Sequence, residues 1–263
     1  PYKVIPQQTR NIKITLAYDG TGFFGWQRQA KETTIQGLLE AALEKLCAHP
    51  VRVYGSGRTD AGVHAIEQVA NFLTTSDRTI SEVVRGGNAM LPKAIAIVSA
   101  QEVSLDFNAR FSAYGKCYVY DFLTGNVRDP LQNNRTWFVG ERIDWTSVRQ
   151  ALDYLPGEKD FKAFQSAGGD NSKSTIRTIY QAELSEPAER IKRLTLVGSG
   201  FLRHMVRTIA GTLLAVGRNR LSPKDLSTII DSKNRSESGV VAPPQGLYLK
   251  KVYYEPFNQN EPL

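Results

Sequence analysis

Cysteine is scarce in this 263-residue chain: only Cys47 and Cys117 occur, and they form no Cys-x-x-Cys pair. A disulfide framework is therefore not expected, and a reducing compartment, the cytoplasm, is the natural location. Histidine is as sparse. His49, His64 and His204 are scattered along the chain, and with two distant cysteines they offer no spacing that closes a tetrahedral zinc site. No apolar run approaches the roughly 18 residues that a membrane-spanning helix needs, and the mean hydropathy is −0.32. The stretch Pro1 to Lys13 is polar, so it does not read as a secretion signal. Nucleotide-cofactor signatures are missing too. Gly55 and Gly57 run into Arg58, Thr59 and Asp60 rather than a Gly-x-Gly-x-x-Gly pattern, and no Walker lysine follows.

What the chain does have is an ordinary globular composition and an excess of positive charge. Hydrophobic residues at 41% and charged residues at 22% set it apart from disordered or rod-forming sequences. The length suits one large domain or two compact halves. Lysine and arginine total 33 against 26 acidic residues, a formal +7, and the pI is near 9.4. Such an excess suits a polyanionic partner, although a basic soluble enzyme would carry it equally well. Arginine outnumbers lysine 19 to 14. The guanidinium fork matches phosphate and base edges in two-point contacts, which favours nucleic acid over a membrane surface.

Periodicity outlines a mixed α and β chain. Ile12, Ile14, Leu16 and Tyr18 alternate with Lys13, Thr15, Ala17 and Asp19, which predicts a strand with one buried face. Thr33 to Gln36 spells a capping box, and Ile35, Leu38, Leu39, Ala42, Leu43 and Leu46 follow at helical spacing. Short strands are predicted over Val51–Tyr54 and His64–Leu73, and further strands over Cys117–Leu123, Ile191–Val197 and Leu247–Tyr254. A helix is predicted over Phe201–Val216. Strand, loop and helix recur over 12–47 and 191–217, which suggests two related α+β units, residues 1–112 and 113–263. Gly125–Arg135 and Asp170–Lys173 read as surface loops.

The most specific stretch is Gly57-Arg-Thr-Asp-Ala-Gly-Val-His-Ala65. A glycine-flanked turn between strands presents Asp60 to solvent or substrate rather than to a core. An isolated Asp-x-Gly is more often a turn that bonds its own backbone, so the surrounding pattern has to decide. The whole string resembles the catalytic motif of the tRNA pseudouridine synthase A (TruA) family. Other matches follow in family order. Tyr18-Asp-Gly-Thr with Phe24-Gly-Trp-Gln27 is similar to the family's opening strand and loop, and Ala109-Arg-Phe-Ser-Ala113 precedes Lys116-x-Tyr118-x-Tyr120, similar to its tyrosine strand. Asp160-Phe, Ser174-x-x-Arg177, Phe201-x-x-His-Met-Val-Arg207 and Gly246-Leu-Tyr-Leu249 also match. Cys117 and Val119 stand where some members carry arginine. The likeness spans about residues 18 to 250, nearly the whole chain.

That resemblance implies the pseudouridine synthase fold: an α+β architecture of two ferredoxin-like halves with adjoining antiparallel sheets flanked by helices and a basic cleft around Asp60. It implies isomerisation of uridine to pseudouridine in the anticodon arm of tRNA, at tRNA positions 38 to 40, by a homodimer without metal or organic cofactor. In that reaction uracil detaches from the sugar, turns over and reattaches through carbon five, so an ionised carboxylate is the group required. Asp60 is that group by motif, acting as nucleophile on sugar or base, or as base on the sugar. The resemblance assigns Arg207 as the cation that keeps it ionised. Arg203 and Arg207, four apart on the predicted helix, would share a face, with Arg203 a phosphate contact. Arg58 resembles the arginine that fills the space vacated by the flipped nucleotide. Tyr118 is the implied platform for the freed uracil, with Leu247 packed beside it, while His64 and His204 read as structural or RNA-facing. Two alternatives differ in class. A noncatalytic RNA-binding module would explain the charge but not the Asp60 turn. A glycosidase would need a second carboxylate about 5 to 10 Å away, and no motif nominates one.

Overall fold

The computed structural model describes residues 8–166 and 174–258, so the loop predicted at Asp170–Lys173 lies outside the described residues. The chain divides into two compact units, Pro1–Ala113 and Tyr114–Leu263. In the first, β1 (Arg10–Tyr18), α1 (Ile35–Cys47), β2 (Val53–Gly55), β3 (His64–Thr74), α2 (Ile80–Met90) and β4 (Ile95–Val103) follow one another. Their sheet has the order β4-β1-β3-β2, and every pairing is antiparallel. This is a ferredoxin-like βαββαβ unit. Ile12, Ile14, Leu16 and Tyr18 of β1 are buried, as are Ile35, Leu39, Ala42 and Leu43 of α1. Each large aliphatic buried in this way contributes roughly 1.5–3 kcal/mol.

The helix start differs from the expected capping box. Thr34, not Thr33, is the N-cap, and its side chain accepts from the Gly37 N–H. Gln36 cannot close a box because it turns inward: its amide donates to Glu40 Oε1 at 3.2 Å and to the Val53 carbonyl at 3.0 Å. Its oxygen accepts from Gln27 and from the Arg28 N–H. The box forms at α2 instead, between Thr79 and Glu82. Alternation is blurred in β3 because Asn71 is buried as well as Phe72. Asn71 donates to Asn11 and accepts from the Ala109 N–H, so segment 104–109 covers that side of the sheet.

The second unit contains β5 (Gly115–Leu123), β6 (Trp137–Phe138), α3 (Trp145–Leu152), β7 (Gly157–Asp160), β8 (Ile176–Ala188), β9 (Ile191–Gly198), α4 (Met205–Gly217), α5 (Asp225–Ser232) and β10 (Leu247–Tyr253). Its strands run in the order β10-β5-β9-β8-β7, with β6 pairing in parallel with β5. Without β6, β7 and α5 the element order is again βαββαβ, and the order β10-β5-β9-β8 repeats that of the first unit. Tyr120, Phe122, Trp137 and Trp145 meet in an aromatic core. The repeat suggested by 12–47 and 191–217 is out of phase: β1–α1 opens the first unit, whereas β9–α4 is the second strand–helix pair of its own. The segment 125–135 is largely exposed, as expected of a loop. The helix predicted from Phe201 starts only at Met205. Among the described residues, no helix is long and apolar enough to cross a membrane.

Candidate active site

In the first unit, the segment linking β2 to β3 carries Arg58 and Asp60. Arg58 is exposed and Asp60 half-buried, and the Asp60 carbonyl accepts from the Val63 N–H at 3.1 Å to close the turn. The loop after β1 holds this turn from one side. The Trp26 N–H donates to the Thr59 carbonyl at 3.0 Å, and the Gly62 N–H donates to the Phe23 carbonyl at 3.3 Å. Gly25 makes that approach feasible. Its φ is +83°, and a Cβ there would lie 2.6 Å from the Thr59 oxygen. The Gly25-Trp motif is thus a clamp on the Asp60 turn. His64 is buried, and its Nδ1 accepts from the Gly20 N–H at 3.0 Å, which gives it a structural role. Asn71 and Gln68 were not singled out in the sequence, because a buried amide in a strand leaves no pattern.

The second unit holds Tyr118, Arg203, Arg207 and Leu247. Tyr118 lies on β5, buried, with the Phe201 ring edge-on at 5.0 Å between centroids. In the ladder of β5 with β10, Leu249 stands opposite Tyr118 and Leu247 opposite Tyr120, so Leu247 shares the tyrosines' face one pair further along. Arg207 is on the first turns of α4 and half-buried. Its Nε–H donates to the Ala242 carbonyl at 2.7 Å, and the Ala242 N–H donates back to the Arg207 carbonyl at 3.1 Å. The next carbonyl, Pro243, accepts from the Tyr120 hydroxyl at 2.8 Å. Burial raises the pKa of that hydroxyl, and the positive charge of Arg207 pulls it partly back. Segment 239–242 can lie this close to α4 because Gly211 has no side chain: a Cβ there would sit 1.9 Å from the Val240 oxygen.

Arg203 does not share a helix face with Arg207. It precedes α4 in an exposed turn, where the Met205 N–H donates to the Leu202 carbonyl and Arg203's own carbonyl accepts from Ser166. His204 takes a left-handed φ of +61° at the helix start. That conformation separates Arg203 from the helical register and corrects the expected four-residue pairing. Among the described residues, no group of three or more His, Cys, Asp and Glu side chains is placed to hold a metal ion.

Two ferredoxin-like units, one of which offers a carboxylate on a clamped turn, define an α+β scaffold of the pseudouridine synthase class. The chain belongs to the tRNA pseudouridine synthase family, which it matches over residues 14–112 and 151–255. It is 44% identical to tRNA pseudouridine synthase A of Caldicellulosiruptor bescii over 93% of this chain and 100% of that one. It is 42% identical to tRNA pseudouridine synthase A 2 of Clostridium perfringens over the same shares. Identity to tRNA pseudouridine synthase A of Neisseria meningitidis serogroup B is also 42%, over 94% of this chain and 93% of that one.

Proposed function

We propose that the protein isomerises uridine to pseudouridine in the anticodon arm of tRNA, at positions 38 to 40, with Asp60 as the catalytic carboxylate and without metal or organic cofactor. The observation that carries this reading is the Asp60 turn: a half-buried carboxylate on backbone clamped to the Phe23–Trp26 loop, in a chain of this family. The reaction breaks the bond from the sugar to N1 of uracil and makes one from the sugar to C5. The C5 proton is lost and N1 gains one, so no redox partner is needed. A carboxylate can serve as nucleophile or base in this sequence. Arg207, oriented through its Nε bond to Ala242, is the cation this reading assigns as partner of the carboxylate. Arg58 occupies the space left by the extruded nucleotide, and Tyr118 receives the uracil with Leu247 beside its strand. Arg203 contacts phosphate. The enzyme works as a cytoplasmic homodimer.

The deciding variant is Asp60→Asn, which keeps size and turn-forming capacity while removing the charge. Single-turnover pseudouridine formation at saturating enzyme is expected to fall by several orders of magnitude, with binding of the same tRNA retained. Near-normal turnover would sink the assignment of Asp60. Appearance of free uracil would indicate glycoside hydrolysis instead.

A further inference from the structure

Beneath the Asp60 turn lies a set of buried polar side chains that the reaction itself does not call for. Gln68 is fully buried on β3, Ser56 is fully buried, and Tyr18 and Thr59 are nearly so. Gln68 Nε2 lies 3.0 Å from the Gly57 carbonyl. A carbonyl oxygen only accepts, so that side of the amide is the nitrogen. Gln68 Oε1 therefore faces Ser56, whose hydroxyl donates at 2.7 Å. The same Nε2 lies 3.4 Å from the Tyr18 oxygen. Tyr18 consequently accepts from Gln68, and its hydroxyl shares a hydrogen bond with the Thr59 hydroxyl at 2.8 Å. Burial pushes the Tyr18 hydroxyl up to about 12, so it stays protonated throughout the neutral range.

We propose that Tyr18, Gln68 and Ser56, acting through Thr59 and the Gly57 carbonyl, are positioning residues that fix the aim of the Asp60 carboxylate. The inference rests on the catalytic assignment of Asp60. The network grips residues 56, 57 and 59, all on the N-terminal side of Asp60, and the loop clamp holds Thr59 and Gly62 through the backbone. Buried hydroxyls and amides are costly unless every member is satisfied, and an apolar set of the same shape would serve packing alone. Three of the four hydrogen bonds here instead have a partner on the segment that carries the carboxylate, Ser56, Gly57 and Thr59, and the fourth ties Gln68 to Tyr18. A misplacement of the reacting group by about 1 Å can cost about 10²-fold in rate.

The test uses Tyr18→Phe and Thr59→Val, which each delete one hydroxyl at nearly constant volume, with Thr59→Ser as the conservative rescue and Asp60→Asn in parallel. Single-turnover pseudouridine formation, tRNA affinity and melting temperature are measured on the full-length proteins. Tyr18→Phe and Thr59→Val are expected to slow the single-turnover rate by about 10-fold or more at unchanged tRNA affinity, Thr59→Ser to stay within about threefold of the parent, and the double variant to be little worse than either single. Lower melting temperatures with parental rates in the folded proteins would mean a purely structural role and overturn the proposal. Should Asp60→Asn alone be inactive while the network variants turn over normally, only the positioning role fails. If Asp60→Asn turns over normally, the catalytic assignment fails and this inference with it.

Discussion

Arg58 is exposed on the Asp60 turn, and under the proposed function its removal would take away little of a large phosphate footprint while leaving an extruded nucleotide unsupported. Arg58→Ala should therefore lower the single-turnover rate more than tRNA affinity; loss confined to affinity would contradict the role. Gly25 offers a second check at this scale. Gly25→Ala places a methyl group against the Thr59 carbonyl at a backbone angle that alanine adopts only under strain, and a loss of about 1–3 kcal/mol is expected from the denaturation midpoint. The thiols make a third case. Both cysteines are buried, and burial pushes Cys117 up to about 11, with Lys250, Lys251 and Arg193 pulling it back. Native protein at pH 8 should resist Ellman's reagent, and both thiols should react once denatured; rapid labelling of native protein would contradict the burial.

Elements were legible where one face is apolar and the other wet. β1 and α1 have that pattern, and their sequence periodicity maps onto the observed strand and helix with only the cap displaced. α2, β4, α3 and β8 carry weaker patterns, since Gly86 and Gly87 interrupt α2 and only Ile179 and Leu184 of β8 are buried. The start of α4 was misjudged because Phe201 and Leu202 continue the helical spacing, whereas His204 takes a backbone conformation that spacing cannot reveal. Asp60 and its turn were legible as a motif; Gln68, which grips that turn, was not. Two predictions belong here. Gly211→Ala should both destabilise the protein and impair turnover, because the segment it pushes away carries the Ala242 acceptor of Arg207. Parental turnover in a folded Gly211→Ala protein would separate the two effects. At α2, hydrogen bonds from the Thr79 N–H and hydroxyl, then from Arg78, hold Glu82 below its usual 4.5. A depressed carboxylate stabilises above its unfolded pKa and loses that contribution as pH falls through the folded one. The melting-temperature gap between the parent and Glu82→Gln should thus be present at pH 7 and close on acidification below 4.5.

At the scale of the whole molecule the +7 charge should make tRNA binding weaken steeply as salt rises, because each neutralised phosphate releases counterions. Affinity that is flat from low to high salt would remove the electrostatic account. The same βαββαβ arrangement occurs twice, yet the two copies differ at one equivalent position. Between β2 and β3 the first copy has residues 56–63 with Asp60; between β8 and β9 the second has only Glu189 and Arg190, with Arg190 at a φ of +63°. Besides the added β6, β7 and α5, the second copy thus differs from the first in the length of this connection. At this position the first copy carries a glycine-flanked loop and the second a bare hairpin tip of two residues, Glu189 and Arg190.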